Sequence, residues 1–400
     1  MVNRVFVVMG ANYGDEGKGL VSAIHALRAQ IMNKKCLTVL YNGGAQRGHT
    51  VETDDYRHVF HHLAAGSLFN SSTYMSEDFI INPIVFMHEV NTLHCTYPDI
   101  YGLNYRIYVN GNCRVTTPFD IAANQADRTN LNNGSCGLGI FQTRKRYENR
   151  LGEPRYATLI HYSPRELYNW AIDIANWYKV QGVYLDTDEI EHLAVLFASD
   201  FGQMKNKVCR CDIVDLTKCF DTIVFEGAQG LALSEDNVKD FPHLTPSLTG
   251  VDNPLKEIAK MNLAPDDTVY TFEFVTRPYF TRHGYGPFPT ADNSLAEEYG
   301  LEDKTNVFNA YQKSFRYGKF NVDEMMQRIA KEKQKVELAK LHSTSFEVIV
   351  THGDELPEDY VADTIRQVQG QDIDGVLRIN NRLITPHTSL RFYKSKETFL

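Results

Sequence analysis

The 400-residue sequence predicts an α/β fold, with residues 1–400 forming a single large domain around a central, mostly parallel sheet. Three observations carry that expectation. Residues 5–9 are a short apolar run that ends in a glycine-rich turn, and residues 20–31 follow with apolar side chains at helical spacing. Residues 36–41 are a second apolar run that again leads into glycines, and this β–turn–α–β order is that of a parallel sheet. No Pro/Ser-rich linker, internal repeat or low-complexity tract divides the chain.

The later elements follow the same logic. Residues 79–83, 107–109, 222–225, 269–275 and 346–350 read as further strands. Several of them run into polar or glycine-rich loops, which is where open α/β sheets place their ligands. Residues 186–199 and 322–341 read as surface helices. Asp186 followed by Glu189 fits a helix start, and the dense Lys and Glu of the second segment read as a solvated face.

Composition excludes several classes. Hydrophobic residues at 43% and charged residues at 23% rule out general disorder. A net charge of −9 argues against a protein that coats a nucleic-acid polymer, while leaving room for one nucleotide in a local basic pocket. No apolar stretch of about 18 residues suggests a membrane span. The first ten residues carry one basic side chain and a short apolar run, which reads as a buried strand rather than a signal peptide. The seven cysteines are odd in number and scattered, and Cys209-Arg210-Cys211 lacks zinc-site spacing. Free thiols in a reducing, cytoplasmic setting are expected.

The most informative segment is Gly10-Ala11-Asn12-Tyr13-Gly14-Asp15-Glu16-Gly17-Lys18-Gly19, between a predicted strand and a predicted helix. Its glycines let backbone N–H groups approach phosphate oxygens, the helix N-terminus adds a positive dipole end, and Lys18 adds a full charge. It is not a Walker A loop, because Gly19 stands where the Mg²⁺-holding Ser/Thr would be. Asp15 offers an oxygen ligand instead, or a proton acceptor. A second loop, Asn42-Gly43-Gly44-Ala45-Gln46-Arg47-Gly48-His49-Thr50, frames one histidine at the end of the second strand. His49 is a candidate acid because imidazole titrates near neutrality.

Together these loops resemble the adenylosuccinate synthetase family, which carries Gly-Asp-Glu-Gly-Lys-Gly and then Gly-Gly-x-Asn-Ala-Gly-His-Thr. Phe225-Glu226-Gly227-Ala228-Gln229-Gly230 and Thr281-Arg282-His283-Gly284-Tyr285-Gly286-Pro287-Phe288-Pro289-Thr290 continue the likeness in the same order. The resemblance implies that family's P-loop-NTPase-like fold and a two-step ligation. A nucleoside triphosphate, ATP or GTP, phosphorylates O6 of a 6-oxopurine monophosphate, and the amine of L-aspartate then displaces the phosphate at C6. It implies Asp15 as the base on N1 and a Mg²⁺ ligand, with the Gly48 carbonyl as a second ligand. His49 would stabilise charge on O6 or the leaving phosphate, and Gln229 and Asn42 would bind substrate. Gly14, Glu16, Gly17, Lys18, Gly19, Gly48, Thr50 and Asp354 would hold the triphosphate nucleotide. Ser135, Cys136 and Gly137 would bind the monophosphate, and Arg150 would reach the partner subunit's substrate in a homodimer, unless it is simply a surface arginine.

The chain also departs from the ordinary pattern. Leu138 replaces an arginine, Gln46 replaces an asparagine, and His352 replaces the lysine of a Thr-Lys-x-Asp string that here reads Thr351-His352-Gly353-Asp354. The arginine-rich aspartate loop is reduced to Asn306, Gln312 and Arg316. Gly134 to Ile140 and Thr245-Pro246-Ser247-Leu248-Thr249-Gly250 resemble the phage branch of the family, which uses dGMP toward diaminopurine DNA; Thr249 is a candidate contact there. The retained Asp15 points the other way, toward ordinary IMP use. A non-catalytic purine-nucleotide sensor is the rival of another class, but it has no need of Asp15 and His49 together.

Overall fold

The computed structural model describes residues 2–98, 106–127, 135–303, 315–380 and the backbone of 391–394. Ten strands form one sheet: β1 Arg4–Gly10, β2 Cys36–Leu40, β3 Ser72–Met75, β4 Ile107–Val109, β5 Cys209–Arg210, β6 Thr222–Gly230, β7 Val269–Thr276, β8 Thr344–Val350, β9 Gly375–Arg378 and β10 Arg391–Lys394. Their order across the sheet is β10-β9-β8-β7-β1-β6-β2-β3-β4-β5. Every neighbouring pair is parallel except β9 and β10.

The core explains why these strands read as continuous apolar runs. Val5, Val7, Val8 and Met9 of β1 are all fully buried, as strands of a parallel sheet covered on both faces should be. Val8, Leu40, Val224 and Val275 point into one apolar cluster with α1 Lys18–Ile31, α2 Pro83–Thr96, α3 Pro118–Ala126, α4 Pro164–Val180 and α5 Thr187–Met204. Val7, Val39, Phe225 and Phe272 point into the other, with α6 Asp252–Met261, α7 Val322–Ala339 and α8 Glu358–Gln369.

Two sequence expectations change here. Only Ile80–Ile81 of the 79–83 segment is extended, pairing with Arg114–Val115 outside the main sheet. Asn82 instead caps α2, its Oδ1 accepting the N–H groups of Ile84 and Val85, with Pro83 at the first helical position. The expected surface helices are half-buried. α5 buries Ile190, Ala194, Phe197 and Phe201, and α7 buries Met325, Ile329 and Val336.

The topology sets the site. From β1 the chain winds to β2 and β3 on one side and returns later to β7 and β8 on the other. β1 is therefore at the switch in winding direction, where a crevice opens beyond the carboxyl ends of the strands. The segments that follow β1, β2, β6, β7 and β8 all emerge at that edge. Among the described residues no helix is long and apolar enough to cross a membrane, and the seven cysteines are free thiols, of which Cys95, Cys209 and Cys219 are exposed.

Candidate active site

The phosphate loop is shaped by left-handed residues. Gly14, Asp15 and Gly17 have φ of 95°, 60° and 88°, a run that turns successive N–H groups toward one point. The N–H groups of Asn12 and Gly14 donate to Oε1 of Glu16 at 2.8 and 3.1 Å, and Lys18 Nζ lies 3.1 Å from Oε2. The loop's donors thus converge on an anion carried within the loop. Glu16 and Lys18 are both buried, so each neutralises the other away from water. Gly19 explains the missing Walker hydroxyl: a Cβ there would sit 2.5 Å from His49 Cβ. That close approach joins the loops after β1 and β2.

Behind His49 is a buried charge pair. Glu226, from β6, accepts from His49 Nδ1 at 2.7 Å and forms an ion pair with the Arg47 guanidinium. Its other oxygen accepts the Ala65 N–H at 3.2 Å. Arg47 Nη2 also lies 3.1 Å from His49 Nδ1. Burial, reinforced by the Arg47 charge and opposed by Glu226, lowers the His49 pKa to about 4. The imidazole is therefore neutral at neutral pH, with Nδ1 fixed and Nε2 left as the reactive edge. Gln229, at the end of the same strand, has φ of 65°. Its Cα is 3.5 Å from where a Gly14 Cβ would lie. Asp15, Lys18, His49 and Gln229 are thus brought together on three adjoining loops.

The family model described as adenylosuccinate synthetase matches residues 7–345. The chain belongs to the adenylosuccinate synthetase family. The adenylosuccinate synthetase of Prochlorococcus marinus (strain AS9601) is 29% identical over 300 residues, covering 71% of this chain and 63% of that protein. That of Blochmanniella pennsylvanica (strain BPEN) is 28% identical over 302 residues, covering 72% and 65%. The match spans less than two thirds of these relatives' length. Two solved structures share the fold. Fully ligated adenylosuccinate synthetase from Plasmodium falciparum superposes with a TM-score of 0.65 at 18% identity, covering 94% of this chain and 80% of that one. Cyanophage S-2L succinoaminodeoxyadenylate synthetase bound to dGMP and dATP gives 0.61 at 17% identity, covering 94% and 93%.

Within this adenylosuccinate synthetase fold the remaining expected residues separate into groups. Asn42 is buried and fully engaged: its Nδ2 donates to the Ala228 and Leu248 carbonyls and its Oδ1 accepts the Ala228 N–H. It braces three site loops together. Thr249 is likewise buried, donating to the Gly230 carbonyl at 3.0 Å. Ser135 Oγ donates to Asn124 Oδ1 at 3.1 Å, and Gly137 and Gly139, both left-handed, lead into the helix Ile140–Asn149. Cys136, between Ser135 and Gly137, is half-buried. A cleft beside them is lined by Gly43, Ile140, Ser247 and Leu248, with Arg114 and Arg144 in its wall. Thr50 is half-buried beside His49, and Asp354 is exposed on the loop after β8.

Two of the expected arginines are engaged within the protomer. Arg150 forms ion pairs with Glu153 and Asp173 of its own chain, so within the protomer it is already engaged. Arg316 gives its Nη groups to the Gly284 and Gly286 carbonyls and so pins the glycine-rich turn after the strand Phe280–Arg282. Asn306 and Gln312 lie outside the described residues. Sequence reasoning gave no role to Arg47, Glu226, Arg277 or Arg328. Arg47 carried a visible signal, since the family pattern has alanine at its place. Glu226 stood inside a quoted motif, and its function depends on Arg47 and His49 from a different loop.

The donor set suits Mg²⁺. The Asp15 carboxylate has no hydrogen-bond partner among the described residues, and Gly48 is exposed at the turn into His49. These are hard oxygen donors on two loops held together by the Gly19–His49 contact, which is the ligand chemistry Mg²⁺ prefers.

Proposed function

We propose that the chain is a purine nucleotide–aspartate ligase that acts on dGMP, giving N6-succino-2-amino-2'-deoxyadenylate. The observation that carries the ligase reading is the convergence of Asp15, Lys18, His49 and Gln229 at the carboxyl edge of β1, β2 and β6. Asp15 would take the N1 proton, so that O6 becomes nucleophilic and receives the γ-phosphoryl group of ATP or GTP. Mg²⁺ held by Asp15 and the Gly48 carbonyl would supply charge neutralisation for that transfer. His49 enters neutral with Nδ1 held against Glu226, so it would have to take up a proton at Nε2 before that atom could donate to the phosphoryl group on O6. The amine of L-aspartate would then attack C6, form the C–N bond and expel phosphate, while Gln229 holds the purine edge. Ser135, Cys136 and Gly137 would take the monophosphate.

The dGMP reading is supported by the loops 134–140 and 245–250, by His352 in place of lysine, and by the fold shared with a cyanophage enzyme whose structure contains dGMP and dATP. IMP with GTP is the second reading, favoured by the retained Asp15. A homodimer in which Arg150 serves the partner's site remains part of the proposal; it requires Arg150 to exchange its bonds to Glu153 and Asp173. The test is phosphate release. A ligase releases phosphate only when aspartate and a purine monophosphate are both present, whereas a nucleotide sensor binds without such release.

A further inference from the structure

We infer that Arg277 is a positioning residue that fixes the backbone of Asp15 and links it to the loop after β8. The inference rests on the role proposed for Asp15. Arg277 follows β7 and is buried, and its Nε donates to the Asp15 carbonyl at 2.6 Å. Asp15 is a non-glycine residue in the left-handed region, a conformation that persists only where its surroundings enforce it. The rest of the guanidinium is anchored on two sides. Nη1 donates to the Tyr279 hydroxyl at 2.8 Å, and Nη2 donates to Asp303 Oδ2 at 2.9 Å. Tyr279 in turn donates to Glu355, the residue after Asp354.

One planar group therefore ties three parts of the site together. They are the phosphate loop through Asp15, the segment that ends at Asp303, and the segment Asp354-Glu355, where a nucleotide base would be read. The fork geometry is specific to arginine: its donors point in fixed directions, whereas a lysine offers one compact head. Thr351 Oγ1 reaches the neighbouring carbonyl, that of Glu16, at 2.7 Å. The two adjacent carbonyls of the loop are thus held from β7 and β8. Displacing a reacting group by about 1 Å costs on the order of 10²-fold in rate, so Arg277 acts on catalysis without touching substrate.

The experiment compares wild type with Arg277→Lys, Arg277→Ala and Tyr279→Phe. Hydrogen exchange of the amides of residues 12–17 is measured first, since it reads the loop whether or not the ligase reading holds. Faster exchange there in Arg277→Ala, with the rest of β1 and α1 unchanged, supports the inference. Unchanged exchange overturns it. With substrate, Arg277→Lys is expected to lose about 10²-fold in kcat while the KM for triphosphate moves less than about threefold. Added guanidinium is expected to restore part of the Arg277→Ala rate. An equal loss in KM and kcat, or no loss at all, overturns the inference. Tyr279→Phe removes one anchor only, so it keeps the test open if Arg277→Ala does not fold: intermediate exchange and an intermediate kcat support the inference, and wild-type values for both overturn it. An inactive wild type would count against the ligase reading alone.

Discussion

Asp15 is the residue on which the proposed chemistry turns. It sits left-handed directly after left-handed Gly14 and two residues before left-handed Gly17, and Arg277 holds its carbonyl. Asp15→Ala should lower turnover by on the order of 10²–10⁴, the usual contribution of a general base. Nucleotide affinity should stay within about tenfold, because Lys18 and the loop amides remain. Rate assays with a binding titration check both. His49 shows the same dependence on partners. Its Nδ1 faces Glu226, and Arg47 already balances that carboxylate. The imidazole therefore enters the reaction neutral. Removing Arg47 alone would strand a buried carboxylate, a change that usually costs roughly 3–5 kcal/mol.

At the scale of elements, α7 grips the phosphate loop. Arg328 donates to the Ala11 carbonyl at 3.1 Å and to Asn12 Oδ1 at 2.8 Å, and Glu324 accepts from Tyr13 at 2.9 Å. Arg328→Ala is expected to raise the KM for triphosphate about tenfold, the effect of losing charge-assisted hydrogen bonds worth about 1.5–3 kcal/mol. An unchanged KM would show that the loop holds its shape without the helix. This helix also marks what the sequence conceals. Its Lys and Glu density reads as a solvated face, yet Met325, Ile329 and Val336 enter the core and Arg328 enters the site. Periodicity reports that one face is polar, but does not report what that face meets. The β1–loop–α1–β2 unit was legible because its signals are local and continuous. β3, with the sequence STYM, carries little apolar signal yet is wholly buried, since its place depends on β2 and β4. Arg277 was illegible for the same reason: its partners lie up to 262 positions away.

The whole molecule couples stability to pH through the sheet. Glu273 of β7 and Glu347 of β8 are register partners. Glu273 is paired with buried His25 of α1 at 2.8 Å. Burial, with added repulsion from Glu273 and Asp374 and partial relief from Arg28, raises the Glu347 pKa to about 7. Its folded pKa thus exceeds the unfolded carboxyl value, near 4.3 for glutamate. The resulting contribution is complete below that value and is lost as pH rises through about 7. Glu347→Gln should therefore raise Tm by a few degrees at pH 8 and leave it nearly unchanged at pH 5, which calorimetry across that range would read. A uniform shift at both pH values would contradict the assignment.

The same molecular frame places the loops after β1, β2, β6, β7 and β8 at one edge of one sheet. The most direct measurement of that account is product analysis by mass spectrometry. The protein is incubated with Mg²⁺ and aspartate, crossing dGMP, IMP and GMP with ATP and GTP. The account predicts a succinylated product from dGMP, formed with stoichiometric loss of one phosphate from the triphosphate. A product from IMP alone, with GTP, would contradict the dGMP assignment, and no product from any monophosphate would contradict the ligase itself.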